Sequence, residues 1–150
     1  MIVEAVLWMR LNIYFEARSE PIQGQIAVAE VTLNRVKSPD YPDTVCGVVL
    51  QENEEGCQFS WWCDGLSDEP KEYNSFQTAK ALARLMLENG DYISVVGKNV
   101  THYHTKDITP YWVKDFEYVS TVGKHIFYRP LASSIEPLPR PKIISGLYNE

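Results

Sequence analysis

Positive charge is scarce in this chain. Fourteen lysines and arginines stand against 20 aspartates and glutamates, for a formal net charge of -6 over 150 residues. Phosphate backbones need clustered Lys and Arg, so the balance argues against nucleic acid as the main ligand. It leaves open a carbohydrate, which aromatic faces and neutral hydrogen bonds can hold. Long apolar runs are missing too. The first segment carries Glu4 and Arg10, too interrupted to span a membrane, and no small-residue cleavage site follows a basic start. The expectation is a protein made in a cytoplasm without a signal peptide, not inserted in a membrane, and leaving by another route if it acts outside. Cysteines are few: Cys46, Cys57 and Cys63. They form no CxxC, and no paired-histidine motif accompanies them, so a structural zinc site has no support. Free or buried thiols in a reducing compartment are the preferred reading, with one disulfide after release as the alternative.

What is present argues for a folded chain. Forty-five per cent of residues are hydrophobic and 12% aromatic, enough for one core and one domain, expected to be monomeric. Ile2, Val6, Met9, Ile13 and Ala17 form one helical stripe, with Glu16 at its edge. Pro21 suits the first position of a second helix, capped by Ser19 or Glu20. Ile22, Ile26, Ala29, Leu33 and Val36 carry it to about Val36, with Gln25 and Thr32 on a less apolar face. Residues 44–51 read as a short helix or strand. Asp68-Glu69-Pro70 starts a further helix with Phe76, Ala79, Ala83 and Met86 on one face, stopped at Asn89-Gly90, the glycine suited to a left-handed cap. Residues 100–105 alternate like a strand, and residues 118–122 and 125–129 flank Gly123-Lys124 as a hairpin. Residues 1–130 make the domain, and the proline-bearing stretch 131–150 reads as an extended tail.

The stretch 13–21 organises the rest. Glu16 sits where a greasy helix ends among aromatic neighbours. Desolvation there disfavours its ionised form and raises its pKa, as a general acid working near neutral pH requires. Glu20 reads as a second acid or a helix cap, and Glu30 as a structural or surface carboxylate. Asp64 is the other candidate second acid, although an Asp-Gly turn is the favoured reading. Arg18 reads as partner to Glu20 or another carboxylate, or as a surface residue. Of Trp61 and Trp62, one is expected to pack inward and the other to line a groove. Trp61, Tyr103 and Trp112 are candidate sugar platforms. Gln25, Asn34, Gln58, Ser60 and His104 complete the candidate substrate contacts. His102 and His104 share a strand face, and with His125 and Cys63 or Asp64 they could ligate zinc. That alternative gives a zinc amidase cutting between muramic acid and the stem peptide.

Several ordered motifs resemble one family. They are Tyr14-Phe15-Glu16-Ala17-Arg18-Ser19-Glu20-Pro21, Gly24-Gln25, Leu33-Asn34-Arg35, Tyr41-Pro42, Gln58-Phe59-Ser60-Trp61, Thr101-His102-Tyr103-His104, and Gly123-Lys124-His125 with Phe127-Tyr128-Arg129. Together they look like the signature of SleB/CwlJ-type cell-wall hydrolases over about residues 10–130. Ser19 departs from the glycine more usual there. The resemblance implies a mainly helical α+β, lysozyme-like fold with a small β-hairpin or sheet. It further implies cleavage of peptidoglycan glycan strands with Glu16 as the single catalytic carboxyl and no cofactor, in the manner of a lytic transglycosylase. A phage endolysin is the expected setting. A non-catalytic wall-binding module or a virion structural protein is the non-enzymatic alternative.

Overall fold

The computed structural model describes residues 2–131; the expected tail, beyond Leu131, lies outside them. Four helices form the body: α1 (Ile2–Ala17), α2 (Ile22–Lys37), α3 (Val45–Val49) and α4 (Tyr73–Asn89). Two short strands, β1 (Glu52–Asn53) and β2 (Gly56–Cys57), pair with each other. A separate antiparallel sheet contains β3 (His102–Thr105), β4 (Phe116–Val122) and β5 (His125–Pro130), in the order β3-β5-β4. The expected β4–β5 hairpin turns on Gly123-Lys124, with Gly123 at φ +59°. Among the described residues no helix is long and apolar enough to cross a membrane.

The apolar stripe of α1 is buried from Met9 through Ile13 to Ala17, while Ile2 at its start is exposed. Helix α2 is buried almost all round, because it stands between two cores. Ala29, Leu33 and Val36 face the helical core with Met9, Ile13, Val48, Ala83 and Met86. Ala27 and Val31 face a second, smaller core with Val96, Val100 and Phe127 under the sheet. The less apolar face expected at Gln25 and Thr32 is therefore interior, since both are buried. Thr32 and Trp61 both bond Asn12, a buried polar residue inside α1.

Three helix termini differ from expectation. No side chain caps α2: Pro21 itself is the cap, and the Pro21 carbonyl accepts the first helical bond from Gln25 N at 3.0 Å. Glu20 is drawn elsewhere, as described below. Helix α4 starts at Tyr73, three residues beyond Pro70. The Tyr14 hydroxyl, reaching over from α1, accepts the N–H groups of Lys71 and Glu72 at 3.1 and 3.0 Å, just before α4. Gly90 follows α4 in right-handed geometry (φ -61°, ψ -22°). Its missing side chain matters for space, since a Cβ there would run into the Met86 carbonyl and come within 2.9 Å of Leu33. Helix α3 is capped by Thr44, whose Oγ1 accepts from Gly47 N at 2.9 Å.

Cys57 and Cys63 are joined in a disulfide, and Cys46 is free. The preferred reading of three free thiols is thus corrected for two of them. The turn from β2 into the 3-10 segment Ser60–Trp62 brings the two together, six residues apart.

Candidate active site

The carboxyl of Glu16 lies in the last turn of α1, half-buried, on the wall of a depression of about 300 Å³. Phe15, Arg18, Ser19, Glu72 and Ser75 also line it. Burial pushes the Glu16 carboxyl above its ordinary 4.5, opposed by a hydrogen bond from the Tyr103 hydroxyl and by the charge of Arg35. Tyr103 donates that bond to Glu16 Oε1 from β3, 87 residues away. Burial, and then the adjacent Glu16, hold the Tyr103 phenol well above its usual range, so it stays protonated. Glu16 therefore has a neutral hydrogen-bond partner and makes no ion pair among the described residues.

Tyr103, a candidate sugar platform, is the hydrogen-bond partner of the acid. Its ring packs beside His125 and Phe127, at centroid distances of 4.9 and 5.5 Å. Trp61, another candidate platform, is the inward member of the pair, 5% exposed, stacked on Phe15 at 4.9 Å with its indole N–H on Asn12. Trp62 is the exposed one, edge-on to Trp8 at 5.6 Å. Trp112, half-buried, packs against His102, Phe116 and Tyr128 on the outer side of the sheet.

The polar candidates divide. Gln25 is buried, its amide N–H on the Glu20 carbonyl at 3.1 Å. Asn34 donates to the carbonyls of Gly97 and Val100 at 3.0 and 2.9 Å. His104 is buried, with Nδ1 donating to the Thr105 carbonyl at 2.7 Å and Nε2 accepting from the Tyr128 hydroxyl at 2.8 Å. All three side chains bond the fold, and burial closes Gln25 and His104 to substrate. Gln58 and Ser60 remain exposed, with Gln58 Oε1 3.4 Å from Arg35 Nη1.

Glu20 is neither cap nor second acid in this arrangement. It is 8% exposed, accepts from Lys124 N at 2.6 Å and lies 3.5 Å from His125 Nδ1. It ties the α1–α2 junction to the hairpin turn. A Cβ on Gly123 would come within 2.6 Å of Glu20 Oε1, so the glycine is needed there for room as well as for its backbone angle. Asp64 is exposed and accepts from Leu66 N at 2.9 Å, the turn that its glycine neighbour suggests. Arg18 pairs with Glu72, beside Glu16 in the depression. Nothing local in the sequence marks Glu72 or Ser75, since only the packing of α4 on α1 brings them there.

The three histidines do not gather. Strand pairing sets His102 against Tyr128 and His104 against Ile126, but His125 against Thr105. His125 therefore faces the opposite side of the sheet from the other two. His102 is pushed down to about 4 by burial and by Arg35, and burial also lowers His125, against the pull of Glu20. The zinc constellation weighed as the alternative is not assembled among the described residues.

A family model described as Cell Wall Hydrolase matches residues 19–128. The chain belongs to the cell wall hydrolase family. Among curated relatives, a spore cortex-lytic enzyme of Halalkalibacterium halodurans is 36% identical over 120 residues, 79% of this chain and 33% of that protein. One from Bacillus subtilis is 32% identical over 117 residues, 77% of this chain and 34% of that protein. The chain thus spans about a third of the length of these relatives. Two solved structures superpose on it. The catalytic domain of the germination-specific lytic transglycosylase SleB from Bacillus anthracis has a TM-score of 0.66 and 32% identity, covering 83% of this chain and 93% of that one. The Bacillus cereus SleB catalytic domain has a TM-score of 0.64 and 28% identity, covering 85% and 91%. The mainly helical, lysozyme-like fold expected of the cell wall hydrolase family is the fold observed.

Proposed function

We propose that this domain cleaves the glycan strand of peptidoglycan as a lytic transglycosylase, with Glu16 as its only acid and base. The observation that carries the reading is a protonated-leaning carboxyl on the wall of a depression, held by a neutral hydroxyl. Glu16 gives its proton to the oxygen leaving the anomeric carbon of N-acetylmuramic acid, and the C1–O bond breaks. The 6-hydroxyl of the same sugar then bonds to C1 while Glu16 takes the hydroxyl proton. The products are a 1,6-anhydro end and a new N-acetylglucosamine hydroxyl, and Glu16 is again protonated. Hydrolysis would ordinarily ask for a second carboxylate. Glu72, the other acid lining the depression, is engaged by Arg18, and Glu20 is turned to the hairpin.

Mass spectrometry of digested peptidoglycan tests this. Anhydro-muropeptides are expected. New reducing ends would mean a muramidase, and freed stem peptides an amidase. We also propose action on the wall after release from the producing cell, as in a phage lysis enzyme. The Cys57–Cys63 disulfide supports action in an oxidising setting. Lysis of susceptible cells by externally added protein checks this, and loss of that lysis on mild reduction is the expected signature.

Tyr103→Phe removes the bond that favours the Glu16 carboxylate. Its kcat is expected to fall about tenfold, the worth of one hydrogen bond of some 1.4 kcal/mol. The basic limb of its pH–rate profile should move up, because the acid holds its proton more tightly. A limb that stays put would remove Tyr103 from the chemistry.

A further inference from the structure

Arg35 is a buried cation that makes no ion pair among the described residues. From α2 its Nε donates to the Thr101 carbonyl at 2.8 Å, and Nη1 to the Gln58 amide oxygen at 3.4 Å. The rings of Tyr41 and Phe59 lie 5.1 and 5.4 Å away. Among the described residues no carboxylate pairs with it. A buried charge is costly unless something compensates it, so a guanidinium left among neutral oxygens calls for an explanation. Its anchor supplies one. Thr101 directly precedes β3 and stands two residues before Tyr103, whose hydroxyl holds Glu16, so one stretch of chain bonds both the guanidinium and the acid.

We propose that Arg35 is a positioning residue for the catalytic step, the fixed counter-charge that stabilises Glu16 as a carboxylate between its two proton transfers. The proposal rests on the transglycosylase reading. Once Glu16 has protonated the leaving oxygen, it must persist as an anion in desolvated surroundings until the 6-hydroxyl proton arrives. A guanidinium keeps its charge at any working pH, and neutral partners leave its field unquenched. Its charge already favours the ionised form of Glu16 and of Tyr103 and disfavours the charged form of His102. The other groups around Glu16 are engaged or uncharged. Tyr103 approaches from β3 as a neutral phenol, with His125 behind it lowered by burial, and His102 precedes it on the strand. Arg18 and Glu72, on the depression side, pair with each other, and Glu20 bonds the hairpin.

The test is the pH–rate profile of anhydro-muropeptide release from purified peptidoglycan. The basic limb marks loss of the proton that Glu16 must donate. In Arg35→Met it is expected to rise by about one pH unit, with at least a tenfold loss of kcat at the optimum. Arg35→Lys keeps the charge and should keep the limb. Gln58→Glu sets a carboxylate against Nη1 from an exposed position, so the fold is retained while the field is quenched. Its limb should move the same way. A wild-type limb in Gln58→Glu, or in folded Arg35→Met, overturns the proposal. If Arg35→Met does not fold, Gln58→Glu decides. Anhydro products still formed by Glu16→Gln would instead sink the underlying reading of the site.

Discussion

Glu16→Gln is expected to lose roughly 10²–10⁴-fold in glycan cleavage, the usual contribution of a general acid, and yet to melt no lower than the native chain at pH 7. The two outcomes have one cause. Burial raises the proton affinity of Glu16 in the folded state. The unfolded chain, with an ordinary carboxyl, therefore binds fewer protons at pH values above about 4.5. Stability then falls as pH rises from the unfolded value through the folded one, because the native state must either keep the proton or bury a charge. Glutamine has no charge to bury, so the variant should be at least as stable at neutral pH, and the difference should vanish below about pH 4. Calorimetric melts at pH 4 and pH 7, run beside muropeptide assays, separate this from a folding defect. A variant that is inactive and markedly less stable at pH 7 would make Glu16 a structural residue.

Part of this was legible in the sequence for simple reasons. The α1 stripe, the apolar face of α4 and the Gly123-Lys124 hairpin announce themselves because periodicity and turn chemistry are local. The edge position of Glu16 on α1 follows from the same arithmetic. Its partner does not, since a bond from Tyr103 across 87 residues depends on how the sheet docks. Helix α2 misleads for a related reason. Gln25 and Thr32 read as a less apolar face and Glu30 as a structural or surface carboxylate, yet all three are buried, as is Arg35, because α2 lies between two cores and Glu30 and Arg35 bond the chain after α4. Trp61 could be read as a platform because its aromatic face suits a sugar ring, and the sequence hides that Asn12 takes its indole N–H from inside α1.

Glu30→Ala is expected to cost roughly 3–5 kcal/mol, the largest stability loss anticipated for a single polar side chain here. The carboxylate of Glu30 is buried and accepts the backbone N–H groups of Val95, Val96 and Gly97 at 2.9, 2.9 and 3.2 Å, with the Ser94 hydroxyl on Oε2 at 3.2 Å. Three amides and a hydroxyl lose their acceptor in the variant, in a place already closed to solvent. Glu30→Gln keeps one carbonyl oxygen but turns an NH2 toward donors, so it should fall between. The effect reaches the site along α2. Four and five residues further on, Asn34 holds the carbonyls of Gly97 and Val100, and Arg35 holds that of Thr101. These three side chains grip residues 94–101 at successive points, and Tyr103 follows directly. Loosening the first grip should therefore lower kcat at temperatures well below the melt, without moving the pH limb set by Arg35 and Tyr103. Urea unfolding midpoints for Glu30→Ala and Glu30→Gln check the first part, and pH–rate profiles the second. A midpoint within about 0.5 kcal/mol of the native chain, the range of an ordinary surface change, would mean that water replaces the carboxylate and that the 94–97 turn holds itself.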